Sequence, residues 1–234
     1  MSQGQGRVGI LCLEDFYFGL LGSNGLPCTN EDWMALPEPR LSAATNGEVF
    51  LDGPGVFSHI RNTLLSYYPE DVRRKKIAAR AVAMAQSGQY NYSRLCRRQE
   101  WTGAFLSLAE FVRNTCSMVH LLNRSYVPFY KWMHRSLRDL PILPQVYELT
   151  DQLSEGFDNR SAWREAGPED FLYGIINKKD QNAVLVETIC QLVIRELEAQ
   201  GLSDARDTYL EPHGFSVFSK ITDPKLTALP ILYG

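Results

Sequence analysis

A polar block, Asn177-Lys178-Lys179-Asp180-Gln181-Asn182, stands directly before the most apolar helical stretch of the chain. Amide, ammonium and carboxylate groups that converge at a buried helix entrance could hold a polar ligand. The same groups could equally satisfy the unpaired backbone N–H groups that every helix start leaves. If a ligand binds here, Asp180 and Asn182 are the preferred polar contacts, with Lys178 beside them, and both interpretations stay open.

A second candidate site interleaves aromatic and basic side chains between Pro128 and Arg135. Aromatic rings can stack on a planar base while neighbouring cations neutralise a phosphate. The ligand-binding candidates in this segment are Lys131, Trp132, His134 and Arg135. His134 is the most useful of them, since its charge can change near neutral pH. Aromatic residues at helical spacing are more often core, which favours the alternative of a bundle corner with Phe129, Trp132 and Met133 inside.

Basic residues crowd the helix predicted after Pro69, within about two helical turns. They are Arg73, Arg74, Lys75, Lys76 and Arg80. Together they could receive a phosphate-bearing ligand. The favoured interpretation is a solvated helix face whose long side chains lie along apolar surface, because long basic side chains commonly do so.

Cysteine and histidine residues give only a weak metal signal. Cys116 and His120 are four residues apart and share a helix face, but no third or fourth ligand is evident. A small apolar thiol beside a hydrogen-bonded histidine is the favoured interpretation. The five cysteines are odd in number and form no Cys-x-x-Cys pair, which predicts reduced thiols. No metal ligand and no catalytic residue is therefore predicted in this chain.

Composition narrows the class of protein. The 234 residues are 44% hydrophobic and 22% charged, as expected for a globular protein with a substantial core. The net charge of −3 gives no general attraction to nucleic acid, so a nucleic-acid partner is disfavoured. The sequence shows neither a signal peptide nor a run long enough to cross a bilayer. These features predict a cytoplasmic protein without a membrane partner.

Helices must position most of these residues. The clearest amphipathic pattern covers Trp101 to Asn123, and Val184 to Leu197 is apolar almost all round, as in a helix buried by several neighbours. Further predicted helices span Glu31–Leu36, Arg40–Ala44, the segment from Pro54 to about Tyr67, Pro69–Met84, Tyr92–Arg98, Pro128–Leu137, Leu143–Leu153, Pro168–Lys179 and Val217–Ile221. Gly88 is expected to interrupt the helix that starts at Pro69. The tail from Asp223 to Gly234 is expected to lie across the surface.

One strand is predicted, at Gly47–Leu51. Its residues Val49, Phe50 and Leu51 are apolar and favour β structure, and Gly-containing turns bound it on both sides. The fold predicted from these elements is mainly α: a multi-helix bundle with a small N-terminal strand-containing segment.

Three runs carry a resemblance to a known family: TNGEVFLDGPGVFSHIRNTLLSYYPEDVRRKKIAARA, RSYVPFYKWMHRSLRDLP and INKKDQNAVLVETICQLVIREL. The chain from about Gly6 onward resembles the bacterial family named domain of unknown function four-zero-three-seven. The resemblance implies the helical C-terminal region of proteins whose N-terminal half is a polymerase-β-type nucleotidyltransferase. It implies that residues 1–55 are a remnant of, or linker from, that catalytic domain and that residues 56–234 form the helical bundle domain.

The carboxylates that the resemblance implies for catalysis are not found at the required spacing. Such enzymes hold paired magnesium ions between two acids that alternate along a strand and therefore share a face. Gly22-Ser23 matches the phosphate-binding turn only in its residue types. The acids that follow it, Glu31 and Asp32, are adjacent and therefore do not alternate along a strand. Glu196 and Glu198 have the right spacing on a predicted helix, where residues two apart do not face each other. Either Asp52 or Asp15 could stand for a third acid, but a single acid cannot hold two metals.

The function expected from these features is a helical substrate-binding or domain-closing module of a nucleotidyltransferase-like protein that is not catalytic by itself. Magnesium and a nucleotide are implied only where an N-terminal nucleotidyltransferase domain is present as partner. The alternative is a non-catalytic regulatory or protein-interaction helical domain. A third interpretation is a small-molecule binder with a pocket near Trp132 and Asp180.

Overall fold

The computed structural model describes residues 9–22, 26–155 and 160–234. Its α-helices are α1 (Leu13–Leu21), α2 (Asn30–Ala35), α3 (Glu38–Thr45), α4 (Val56–Leu65), α5 (Glu70–Met84), α6 (Ser93–Arg97), α7 (Trp101–Leu122), α8 (Tyr130–Met133), α9 (Val146–Glu155), α10 (Arg160–Arg164), α11 (Gln181–Ala199), α12 (Leu210–Ser219) and α13 (Pro224–Thr227). A π-helical segment, Ala85–Tyr92, joins α5 to α6, and 3₁₀ turns cover Arg135–Asp139 and Pro168–Asp170. Two short strands, β1 (Phe171–Leu172) and β2 (Ile176–Asn177), pair antiparallel. The prediction of a mainly α protein is confirmed.

Helices α5, α7, α11 and α12 form the centre of the bundle, with α5 packed against both α7 and α12. Helix α5 begins after Pro69, where Glu70 and Asp71 place acidic groups at the positive end of the helix dipole. Helix α7 covers the segment predicted as the clearest amphipathic helix, which is thereby confirmed, and it buries Leu108, Phe111 and Met118.

The N-terminal helices form as the sequence predicts. Thr29 caps α2 because its hydroxyl accepts the N–H of Asp32 at 3.2 Å, and the Asp32 carboxylate accepts the N–H of Thr29 at 2.9 Å. Trp33 on α2 and Leu41 on α3 belong to the same hydrophobic cluster as the core of α5 and α7. The proposed boundary at residue 55 stays a prediction.

The predicted strand at Gly47–Leu51 is wrong. Residues 48–52 lie outside every described helix and strand, and the side chains of Phe50 and Leu51 are 94% and 91% exposed. A strand needs a hydrogen-bonding neighbour, and no described segment pairs with this one. Asp52 instead starts α4, since its carboxylate accepts the N–H groups of Ser58 at 2.7 Å and Gly55 at 3.1 Å.

The predicted helix at Pro168–Lys179 is also wrong, because this segment folds into the β1–β2 hairpin. Tyr173 and Gly174 at its tip both have positive φ, 49° and 70°, the combination that tight hairpin turns require. The Ile175 N–H donates to the carbonyl of Leu172 at 3.1 Å and closes the turn. The backbone conformation of Tyr173 and Gly174, rather than apolar spacing, determines that this segment forms a hairpin.

Three smaller expectations also change. Gly88 does not interrupt the helix, since the backbone continues through it as the π-helical segment. The single helix predicted over Pro128–Leu137 is divided into α8 and a 3₁₀ turn. The C-terminal tail is not confined to the surface, because Leu226 of α13 is fully buried. Over the ranges that the structure describes, no helix is both long and apolar enough to span a bilayer.

Candidate functional site

A cleft of about 1210 Å³ opens between the π-helical segment, the hairpin, the outer face of α11 and the start of α12. Pockets of several hundred cubic ångströms that combine apolar walls with a few polar groups are typical ligand sites. The walls here carry exposed apolar groups, among them Ile175 and Val184, and the phenol rings of Tyr90, Tyr173 and Tyr209. This cleft is the candidate functional site.

The π-helical segment builds one wall of the cleft because it is pressed against α7 and α11. A β-carbon at Gly88 would lie 2.4 Å from a ring carbon of Phe111 and 2.8 Å from a methyl of Val186. Only glycine allows this approach without displacing core side chains. The wide π turn then presents Gln89 toward α11 and Tyr90 outward, and such segments often occur at functional sites.

Glu187 and Gln89 form a hydrogen-bonded pair in the cleft. The side-chain N–H of Gln89 donates to the Glu187 carboxylate at 2.9 Å, while the Gln89 carbonyl oxygen accepts the backbone N–H of Leu210 at 3.0 Å. The second bond determines which end of the amide faces Glu187. Three elements, the π segment, α11 and α12, therefore hold one carboxylate in a defined orientation.

Burial dominates the electrostatics around Glu187. It raises the pKa of the Glu187 carboxyl, and the Gln89 hydrogen bond opposes that rise only in part. Burial raises the pKa of Tyr209 to about 12, with further contributions from Glu211, Cys190 and Glu187. Burial also raises the pKa of the Cys190 thiol well above its ordinary value. Burial thus disfavours the charged form of Glu187, and the other charged groups that line the cleft are Glu211 and Arg195.

The hairpin forms the opposite lip of the cleft. Its tip is anchored to α6, because the Arg97 guanidinium donates to the Gly174 carbonyl at 2.8 Å and lies over the Phe171 ring at 4.8 Å. Tyr173, 84% exposed, projects at this tip. The anchoring keeps a large aromatic ring at the mouth of the cleft.

None of the candidates Lys178, Asp180 and Asn182 lines the cleft. Asp180 is fully buried and caps α11: one carboxylate oxygen accepts the N–H groups of Asn182 at 2.8 Å and Ala183 at 3.4 Å. The other oxygen accepts the Tyr92 hydroxyl at 2.9 Å and the Trp163 indole N–H at 2.6 Å. Asn182 is also fully buried, and Lys178 is exposed. The helix-capping interpretation therefore describes Asp180.

The second predicted group lies on the surface. Phe129 and Trp132 are each 51% exposed, so the bundle-corner interpretation is wrong for these two rings, whereas partly buried Met133 packs against a hydrophobic cluster as that interpretation expects. Tyr130 is 73% exposed. Lys131 and Arg135 are exposed as well. Half-buried His134 has its Nε2 3.1 Å from the Tyr147 carbonyl oxygen, and its ring stacks on Tyr147 with centroids 4.4 Å apart. None of these contacts involves Asp180 or Asn182, so the structure does not bring the two predicted groups together.

The basic residues of α5 are largely interior, and the prediction of a solvated face is wrong for three of them: Arg73, Lys75 and Lys76, at 2%, 0% and 4% exposure. The Lys75 ammonium donates to the carbonyls of Leu229 at 2.9 Å and Pro230 at 2.7 Å. Lys76 pairs with Glu38 at 3.3 Å. This row of cations joins α5 to the C-terminal tail and to α3.

The interpretation of His120 as a hydrogen-bonded core residue is confirmed. Its Nδ1 lies 2.7 Å from the Cys116 carbonyl oxygen, which can only accept, so Nδ1 carries the proton. Its Nε2 lies 2.8 Å from the Ser136 hydroxyl, and burial lowers the pKa of the ring. The structure thus uses His120 to join α7 to the 3₁₀ turn at Arg135–Asp139.

The acids of this chain do not fit the paired magnesium ions that the resemblance implies. Glu31 and Asp32 lie in α2, where Asp32 completes the capping box, and both oxygens of Asp52 accept backbone N–H groups at the start of α4. Glu196 and Glu198 lie on α11, and Ser23 lies outside the described residues. Within the described ranges no cluster of three or more His, Cys, Asp or Glu side chains could hold a metal ion.

Sequence reasoning missed Gln89 and Glu187. Two features of the sequence could have identified these residues. The stretch AQSGQYNY places amides at Gln86, Gln89 and Asn91 within a helical region, and Glu187 is a lone acid in an otherwise apolar part of α11. A single acid among apolar residues of a helix needs a buried partner or a ligand.

The fold and this cleft define a helical-bundle protein with an open groove built on a partly buried carboxylate and a buried amide. Residues 33–133 match the family described as Domain of unknown function (DUF4037), so this part of the chain resembles that family. The matched range is narrower than the expected one from Gly6 onward, and it includes α5, the π-helical segment and α7. No curated protein and no solved structure matches the chain.

Proposed function

We propose that this chain is the substrate-binding module of a nucleotidyltransferase-like protein and is not catalytic by itself. The cleft beside the π-helical segment would hold the small-molecule acceptor, while a partner nucleotidyltransferase domain supplies nucleotide and magnesium. The observation that carries the proposal is the oriented Glu187–Gln89 pair inside a cleft of about 1210 Å³. A carboxylate held this way by three elements has the positional definition that a specific site requires.

The proposal extends to the setting of the protein, which we place in a bacterial cytoplasm. The bacterial source rests on the resemblance that the three sequence runs carry. All five cysteines carry free thiols, Cys12 and Cys28 at exposed positions, which suits a reducing compartment.

Filling the cleft provides the test. Thr188 is exposed on α11 and lines the cleft, so Thr188→Trp should occupy it and lower affinity for any bound ligand at least about tenfold, since an indole would replace the ligand's contacts. Ligands would be found by thermal shift over a panel of small polar molecules and measured by calorimetry. Glu198→Trp, on the same helix but outside the cleft lining, is the matched control. A ligand that both variants bind as well as the wild type does would place binding elsewhere.

A second candidate function, a regulatory or protein-interaction domain, is favoured by the exposed surface of Phe129, Tyr130, Lys131, Trp132 and Arg135. Aromatic rings with neighbouring cations are enriched in protein interfaces. Trp132 is half exposed, with the Arg135 guanidinium 5.9 Å from its ring centroid.

The interaction surface is tested with the nucleotidyltransferase domain supplied as a purified partner. Under the interaction function, Trp132→Glu should weaken its association with the helical chain about tenfold or more, as expected for a central interface aromatic. Surface plasmon resonance would measure this, with Tyr233→Glu, an exposed aromatic on the tail, as the control. Equal loss of association in both variants would count against a specific surface at Trp132.

A further inference from the structure

We infer that the cleft recognises a protonated amine on a hydroxyl-bearing small molecule, with the ammonium group bound by the Glu187 carboxylate. The inference rests on the proposed function for the location of the site and adds the chemical class of the acceptor. It starts from the partners that Glu187 has and from those that it lacks.

The Glu187 carboxylate has no cationic partner among the described residues. Gln89 donates one hydrogen bond to its Oε2, and no described basic side chain forms an ion pair with it. A partly buried carboxylate is costly unless a cation and further hydrogen bonds compensate for lost hydration. The second oxygen, Oε1, accepts no hydrogen bond from the described residues and is available to a ligand.

The shape and lining of the cleft favour an organic ammonium ion over a metal ion. Metal ions of the kind that oxygen ligands hold need several such ligands in a small shell, whereas Glu187 stands in a groove of about 1210 Å³. The phenol rings of Tyr173 and Tyr209 offer faces that attract organic cations, whereas the Tyr90 ring already has the Arg94 guanidinium 4.4 Å from its centroid. An amine-bearing ligand would satisfy both the carboxylate and the rings.

Neutral polar groups of the same cleft favour hydroxyls on the ligand. Thr188, Asn91 and Gln191 line it, and the Gln191 amide N–H donates to the Thr208 carbonyl at 2.6 Å, which orients its oxygen as an acceptor. Arg195 also lines the cleft but is solvent-exposed, so its charge is screened more than that of Glu187. The ligand class is therefore a polyhydroxylated amine rather than an anion.

Matched pairs of probes test the inference. Glucosamine and glucose differ by one ammonium group in place of a hydroxyl, and 2-deoxystreptamine can be compared with myo-inositol in the same way. We expect each amine to bind at least about tenfold more tightly than its hydroxyl counterpart, measured by calorimetry at low salt. Amines that bind no better than their counterparts would overturn the inference.

The variant Glu187→Gln tests whether the charge of this side chain causes the preference for amines. The amide keeps the shape and a hydrogen-bond acceptor for Gln89 but removes the charge, so the preference for amines should disappear. The variant should be as stable as the wild type or more stable near neutral pH. Because burial raises the pKa of Glu187 in the folded protein, ionisation of this group costs stability above that pKa, and glutamine removes the cost. Loss of amine preference in a stable variant supports the inference, while retained preference overturns it.

The pH profile provides an independent readout. Amine affinity should fall as the pH drops through the folded pKa of Glu187, which lies above its ordinary value of 4.5. Tyr209, whose pKa is about 12, and Cys190 stay neutral in this range, and Glu211→Gln controls for the other acid that lines the cleft. A profile that Glu211→Gln abolishes and Glu187→Gln leaves intact would contradict the assignment.

The failure of this inference is distinguishable from the failure of the proposed function. If amine and hydroxyl probes bind equally and both are lost in Thr188→Trp, the cleft is a binding site without charge selection. If Thr188→Trp changes no binding at all, the cleft is not the site, and both proposals are wrong.

Discussion

Asp180→Ala is expected to lower the free energy of unfolding by about 4 kcal/mol, from the lost helix cap and from two donors left without an acceptor, one buried (Tyr92) and one half-buried (Trp163). The Asp180 carboxylate accepts four hydrogen bonds and is fully buried. Its removal takes the acceptor away from the Tyr92 O–H and the Trp163 indole N–H, while the Tyr92 hydroxyl keeps its hydrogen bond with the Asn182 side chain. Urea denaturation followed by circular dichroism measures the change.

Asp180→Asn refines this prediction. Asparagine keeps an oxygen for the cap, and the Tyr92 hydroxyl can turn to accept from the new amide, but the Trp163 indole can only donate. The loss of unfolding free energy should therefore be about 2 kcal/mol, from one half-buried donor left unpaired. Asp139→Ala, at an exposed position, is the control. An Asp180→Asn protein of wild-type stability with altered ligand binding would restore Asp180 as a ligand residue.

Arg73→Met is expected to lower the free energy of unfolding by about 3 kcal/mol, because a buried charge network loses its centre. The Arg73 Nε donates to the carbonyl of Leu121 at 2.9 Å near the end of α7, and its Nη1 pairs with Glu70 at 3.1 Å. A third nitrogen bonds the Gln200 side chain at the end of α11. One guanidinium thus joins α5 to the C-termini of α7 and α11, where cations are favoured.

Arg124→Met is the matched control for Arg73→Met, because both arginines pair with Glu70. Arg124 is 52% exposed, and its ion pair, 2.7 Å long, should contribute less than about 1 kcal/mol. Parallel urea titrations of the two variants compare the buried and exposed partners of one carboxylate. Equal losses would show that Arg73 acts only as a surface charge.

Local rules predicted the helices well because their signals are local. The capping box of Thr29 and Asp32, the Pro69-Glu70-Asp71 start of α5 and the apolar spacing of α7 each lie within a few residues of the feature that they specify. The hairpin at Phe171–Asn177 was missed because a positive-φ turn at Tyr173-Gly174 overrides apolar spacing. The strand at Gly47–Leu51 was wrong because β propensity does not provide a pairing partner.

The prediction of site residues was limited in the same way, because local signals do not identify partners that are distant in the chain. Asp180 was placed correctly at a helix entrance, but its partners Tyr92 and Trp163 come from distant parts of the chain. Spacing alone could not distinguish a ligand contact from a buried cap. The aromatic surface at Phe129 and Trp132 was expected to be core because nothing local indicates which helix face lacks a neighbour.

Residue order was sufficient to establish a mainly helical protein, most helix positions and a family resemblance, since these depend on short-range periodicity and on runs of residues. Tertiary structure alone decided that Arg73 and Lys75 are interior, that Asp180 is a cap, and that Gln89 and Glu187 meet in a cleft. The physical reason is that burial and pairing of charges depend on groups far apart in the chain. Gln89 and Glu187 are 98 positions apart, and only the packing of the π-helical segment against α11 brings them within hydrogen-bonding distance.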